Sequence, residues 1–255
     1  MTVTKSNVYI LHTFTSGYMK RNKKQDCYNQ LIKRILTLDI EPGSILDETL
    51  LSNAYDLSRT PLREVFQRLS GEGYLSLQEN RGAKVSSMDI ASMRNFFLSA
   101  PMIYAAVARL AAENRGRNQI EELKTTQQAF RRNGEAGEPV AMGIQNHAFH
   151  RIIGEMADNA FLMPSLNRLL IDHTRLGQQF YRPNNAQDRQ LIWKASEQHD
   201  AMIEAIENGE PARAVELTLE HWALSRDQME KYVRPDPLPL DIGSTASPEG
   251  KQNAI

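Results

Sequence analysis

The sequence predicts a mostly α-helical chain in two parts: a small N-terminal unit of three helices and a β-hairpin, then an antiparallel bundle of about six helices. Three observations predict it. Apolar residues recur at helical spacing along most of the chain from Tyr28 onward. Period-two alternation is confined to the stretch from Tyr74 to Val85. Short clusters of Gly, Pro and Asn separate the periodic stretches.

The first helix carries Leu31, Ile32, Ile35 and Leu36 and is broken by Glu41-Pro42-Gly43. A second begins after Asp47, a residue whose carboxylate can accept from the free N–H groups of a first turn, and carries Leu50, Leu51 and Ala54. Asp56-Leu57-Ser58 connects it to a third helix starting near Thr60-Pro61, with Leu62, Val65, Phe66 and Leu69 turned inward and Gly71 and Gly73 at its end. Tyr74 to Leu77 reads as one strand, Asn80-Arg81-Gly82 as a tight turn and Ala83 to Val85 as the returning strand. This order of elements is that of a winged helix-turn-helix.

From Asp89 the pattern changes to long amphipathic helices, expected near 89–114, 118–133, 138–158, 160–181, 185–208 and 210–232. Residues 1–24 read as a flexible arm, 25–88 as the winged unit, 89–233 as the helical domain and 234–255 as a disordered tail rich in Pro, Gly and Ser. No run reads as long and apolar enough to span a bilayer, and Met1 to Lys24 lacks the apolar core of a secretory signal. With one cysteine, Cys27, no intrachain disulfide can form. These features predict a cytoplasmic protein without a membrane partner.

Residues 1–88 hold 12 Lys and Arg against 9 Asp and Glu, whereas the rest of the chain holds 18 against 22. That asymmetry permits nucleic-acid binding by the N-terminal part without establishing it. The stronger signal is positional. Arg59 and Arg63 lie four apart at the start of the third helix and so share a face. Their guanidinium forks suit guanine edges or phosphates, Thr60 can reach a phosphate or base, and Arg81-Gly82 forms a compact wing tip.

The stretch EPGSILDETLLSNAYDLSRTPLREVFQRLSGEGYLSLQENRGAKV resembles the winged domain of the GntR family of bacterial regulators. The matching elements are Gly43, Leu46, Leu51, Ser58 to Glu64, Arg68-Leu69, Glu72-Gly73, and Arg81-Gly82 through Val85. The resemblance implies a dimer whose third helices read the half-sites of an operator, with Arg59, Thr60, Arg63, Arg81 and Gly82 at the DNA.

Among six histidines, His150, His199 and His221 fall on apolar helical faces, and Asn146 lies four residues before His150. Such a set reads either as ligands for a divalent transition ion or as hydrogen-bonded core histidines. The helical part is similar to the ligand domain of the FadR-like branch of the same family, in which many members hold a metal with Asp-x3-His on one helix and a His on each of two later ones. That similarity assigns the metal to Asn146, His150, His199 and His221, with zinc, nickel or manganese as the ion. Asn146 departs from the branch's Asp and so offers a weaker, neutral ligand. The Arg that relatives place on the first bundle helix is absent here, where Ser99, Ala100, Pro101 and Tyr104 stand, and Pro101 is expected to kink the helix. Arg175 is the substitute expected to hold a carboxylate effector.

The function so predicted is a ligand-responsive repressor, acting as a homodimer on operator DNA and released by a small organic acid bound at a metal centre. Two alternatives remain at this point: a metal-dependent enzyme built on the histidines, and a DNA-binding protein with a metal-free structural bundle.

Overall fold

The computed structural model describes residues 23–78 and 82–233. The expected flexible arm (apart from its last two residues), His12, the wing-tip Arg81 and the expected disordered tail lie outside the described residues.

Helix α1 (Lys23–Leu36) buries Cys27, Leu31 and Ile35, spaced at i, i+4 and i+8. The two-residue strand β1 (Ile45–Leu46) follows the Gly43 turn. Helix α2 (Glu48–Tyr55) is capped as expected by Asp47, whose Oδ1 accepts from the N–H groups of Thr49 at 2.7 Å and Leu50 at 2.9 Å. Helix α3 (Arg59–Gly71) seats Leu62, Val65, Phe66 and Leu69 against α1 and α2. Strands β2 (Leu75–Gln78) and β3 (Gly82–Val85) pair antiparallel as the hairpin.

The expected two-stranded wing is a three-stranded sheet of order β1-β3-β2, because Ile45 pairs with Lys84 and Leu46 with Ala83. Two residues are too few to show alternation, so the extra strand left no period in the sequence.

Among the described residues, six helices make up the second part: α4 (Ile90–Asn114), α5 (Arg117–Glu135), α6 (Pro139–Met156), α7 (Leu162–Phe180), α8 (Ala186–Asn208) and α9 (Pro211–Val233). Helix α4 packs along α9 and α6, α5 along α6 and α8, and α6 along α7. Their shared core includes Phe96, Val107, Phe149, Ile152, Leu170 and Met202. Helix α4 corrects one expectation, since its length and apolarity are those of a membrane span. It runs as one helix through Pro101 and lays Met93, Phe96, Ala100, Tyr104, Val107 and Ala111 into the bundle core.

The two parts meet through α7. Ile171 is fully buried in the hydrophobic cluster of the winged unit, together with Leu31, Phe66 and Val85. Close by, a Cβ built on Gly73 would stand 2.7 Å from Cδ of Arg168, and Gly73 has φ +87, so the residue at this contact must be small and left-handed.

Candidate functional site

Two clusters of the expected residues stand out, one on the winged unit and one inside the bundle. On the winged unit Arg59, Thr60 and Arg63 lie exposed along the first turn and a half of α3. Asp47 caps α2 and places Glu48 at that helix's first position, from which its carboxylate takes the Nε of Arg63 at 3.2 Å to each oxygen. Nε is thereby used, and the terminal nitrogens of the guanidinium are left to point outward. Between α3 and the wing runs an open groove whose walls include Ile45, Glu48, Arg63, Leu77 and Gly82. Gly82 has φ +79, and a Cβ there would stand 2.7 Å from the carbonyl oxygen of Leu46, so the wing closes onto β1 only through a glycine.

Inside the bundle, α6 brings Asn146 and His150, α8 brings His199 and α9 brings His221. All four are buried, and the three histidines each present a nitrogen within 4.8 Å of the other two. Asn146 Oδ1, His150 Nε2 and His199 Nε2 are buried and have no hydrogen-bond partner. The remaining faces are held. Gln127, on α5, donates through Nε2 to the Ser196 carbonyl at 2.8 Å and Oγ at 3.1 Å, which leaves its Oε1 to accept from Nδ1 of His199 at 3.0 Å. Gln198 Oε1 stands 3.2 Å from Nδ1 of His221. A proton fixed on Nδ1 makes Nε2 the lone-pair nitrogen, the tautomer a metal ligand needs. Phe149 stacks on the His199 ring with centroids 4.0 Å apart and fixes its plane.

Burial holds His150 and His199 well below the usual imidazole pKa, with neighbouring imidazoles adding to the effect, and lowers His221 to about 4. The three rings are therefore neutral at neutral pH. Three neutral imidazole nitrogens and an amide oxygen, two of the imidazoles braced from behind, form a donor set that a divalent transition ion fits.

Two residues that sequence reasoning did not select complete the cluster. The Tyr104 hydroxyl, kept protonated by burial, is hydrogen-bonded with Nδ1 of His173 at 2.7 Å, and the His173 ring lies 5.3 Å from that of His150. Tyr104 occupies the stretch of α4 where relatives place an Arg. Arg175, expected as the effector anchor, is 1% exposed, pairs through Nη2 with Asp172 and donates from Nη1 to the Ser86 carbonyl at 2.7 Å, while its Nε is buried without a partner. Asp172 also takes Nη1 of Arg168 at 2.8 Å. The charge expected to meet a carboxylate instead ties the bundle to the segment following the wing.

Comparison with known proteins covers both parts of the chain. The model of the gntR family of bacterial regulatory proteins matches residues 23–85, and that of the FCD domain matches residues 102–224. The HTH-type transcriptional repressor RspR of Escherichia coli (strain K12) is 36% identical over 101 residues, which are 38% of this chain and 44% of RspR, so the match spans less than half of that relative. A probable D-xylose utilization operon transcriptional repressor of Paenarthrobacter nicotinovorans is 24% identical over 181 residues, 71% of this chain and 77% of the relative. The solved structure of E. coli McbR/YncC superposes with a TM-score of 0.69 at 17% identity, over 83% of this chain and 98% of that one, and so shares the fold. The matched family and the named repressors are transcription regulators, and the alternative of a metal-dependent enzyme built on the histidines is set aside. With a matched winged unit joined to a matched helical unit, the chain belongs to the GntR family of bacterial regulatory proteins, with an FCD domain as its helical part.

Proposed function

We propose that this chain is a cytoplasmic transcription regulator, a repressor in polarity, that binds operator DNA as a homodimer through α3 and the wing. A small carboxylate effector, held at a metal centre in the bundle, controls it. The observation that carries this reading is the convergence of His150, His199 and His221 beside Asn146 in a buried site, where Asn146 Oδ1, His150 Nε2 and His199 Nε2 have no hydrogen-bond partner.

In this reading Arg63, steadied by Glu48, presents its outer nitrogens to a base edge, while Arg59 and Thr60 hold the register on the backbone. The three imidazoles and Asn146 hold the ion, which supplies open coordination positions for a carboxylate oxygen. Gln127 and Gln198 keep two imidazoles in the binding tautomer, and Phe149 and Tyr104 wall the site from water. Support for the homodimer comes from the outward face of α4, where Ile90, Leu98 and Met102 are 81%, 64% and 72% exposed at positions that share one stripe.

Native mass spectrometry of the purified full chain, with elemental analysis, tests the proposal. It should give the mass of two chains with one divalent ion per chain, and gel-shift binding to operator DNA should weaken when the effector is restored. A metal-free chain whose stability and DNA binding ignore chelators would leave the bundle a structural domain and overturn the metal-centred reading.

A further inference from the structure

Gln178, on α7, is fully buried, yet neither Oε1 nor Nε2 of its amide has a hydrogen-bond partner. A methionine or leucine at that place would fill the same volume without the cost of desolvating two polar atoms. Nothing in the packing of the bundle accounts for an amide there.

The register of the two antiparallel helices shows what lies beside it. His150 of α6 faces His173 of α7 with ring centroids 5.3 Å apart, and Nδ1 of His147 meets Oγ1 of Thr174 at 2.8 Å. Farther along, a Cβ built on Gly143 would stand 2.5 Å from Nε2 of Gln178. Asn146, with its own unpartnered Oδ1, therefore lies on the same face of α6 between the histidines and Gln178. Gly143 thus stands where any side chain would collide with the Gln178 amide.

We propose that Gln178 is the second contact of the effector and sets its chemical class: a short hydroxylated monocarboxylate. Its carboxylate would face the histidine centre, and a hydroxyl would exchange hydrogen bonds with the Gln178 amide. This rests on reading the histidine centre as the effector site. Asn146 lies three residues, about 4.5 Å of helix rise, from Gly143 at the level of Gln178, which suits a ligand of roughly four carbons. The neutrality of the second group follows from the charges nearby. Arg175 already balances the charge of Asp172 and Arg182 is exposed, so a second carboxylate at the buried Gln178 amide would meet a neutral group where it needs a cation. A hydroxyl, being both donor and acceptor, matches both orphaned ends of the amide.

The test is titration calorimetry on the full chain, with and without zinc, using three four-carbon probes: threonate, butyrate and succinate. The wild-type chain should bind threonate at least about tenfold more tightly than butyrate or succinate. Gln178→Met should bind zinc as before, unfold at no lower temperature and lose the preference for threonate. Gly143→Ala, which keeps the amide but pushes its Nε2 aside, should weaken threonate and leave zinc unchanged. Undetectable threonate binding, equal binding of threonate and butyrate by the wild type, tighter binding of succinate, or an unaltered preference in Gln178→Met would each overturn the inference. If the wild type takes no zinc but prefers threonate through Gln178, the metal reading falls and the role of Gln178 stands. If it takes zinc and shows no preference, the reverse holds.

Discussion

Nη1 of Arg175 donates to the backbone carbonyl of Ser86 at 2.7 Å, across 89 positions of sequence and across the boundary between the bundle and the winged unit. Its other arm is paired with Asp172, which also holds Arg168, and Arg168 lies against Gly73 at the base of the wing. The neighbouring residues of the same helix point both ways: Ile171 sits in the winged unit's core and His173 beside the histidine centre. Helix α7 is thus a solid connection between the two sites. A ligand that moves α7 must move the wing's base with it.

Arg175→Met should consequently do two things. It leaves the buried Asp172 with only the half-exposed Arg168, and loss of one partner of a buried pair costs on the order of 3–5 kcal/mol, which chemical denaturation would read. Adding Asp172→Leu should recover most of that loss. In the stabilised double variant, zinc content should be normal while the effector's influence on operator affinity is much reduced. Retention of the full effector response would show that coupling runs by another route.

Glu48 offers a second test, because it is the only acidic group hydrogen-bonded to Arg63 among the described residues. Arg63→Ala should cost about 1–3 kcal/mol of operator binding and relax base choice at one position of each half-site. Glu48→Gln should lower discrimination between operator and random DNA while changing random-DNA affinity little, since it loosens the guanidinium without removing its charge. Gel-shift titrations on both DNAs at one fixed salt concentration separate these outcomes.

Much of this was legible in the sequence, and the limits have physical causes. Helices α5 and α6 begin and end within a few residues of their expected positions, because an amphipathic stripe and Gly or Pro separators are local signals. The histidine cluster was legible through Asn146 and His150 at i and i+4 and through resemblance for the later two. Helix α7 was expected near 160–181 and runs from Leu162 to Phe180, but which way its residues face was opaque. From Leu169 to Gln178 every residue is buried, including Asp172, His173, Thr174, Arg175 and Gln178, so no polar face remains to reveal an apolar one. Gln127 with His199, 72 positions apart, and Tyr104 with His173, 69 apart, are pairings that no local pattern encodes.

Gly82→Ala should damage the wing although the substitution is small. The position has φ +79, and the new Cβ would collide with the Leu46 carbonyl oxygen at 2.7 Å, backbone that cannot swing aside as a side chain can. A left-handed alanine costs of order 1–3 kcal/mol, and here β1 would also be pushed off β3. Operator affinity should fall with zinc binding by the bundle unchanged. A variant with intact operator affinity would mean that the wing tip does not bear on DNA.

The proposed metal centre makes the last prediction, and it concerns the residues behind the histidines as much as the histidines. His150→Ala removes a donor and should abolish stoichiometric zinc, while metal-free DNA binding persists because α3 and the wing are untouched. Gln127→Leu removes no donor, but it frees Nδ1 of His199 and strips the buried ring of the bond that sets its tautomer and plane. Partners of that kind are commonly worth about 10- to 100-fold in metal affinity, so this variant should hold zinc weakly and lose it first to a competing chelator. Asn146→Asp should shift affinity the opposite way, by setting an anionic oxygen where the unpartnered amide Oδ1 now stands. Zinc affinities falling in the order Asn146→Asp, wild type, Gln127→Leu, His150→Ala are the expected series. Zinc bound equally by all four would mean that it sits elsewhere, and thermal unfolding with and without chelator would then show no stabilisation traceable to these side chains.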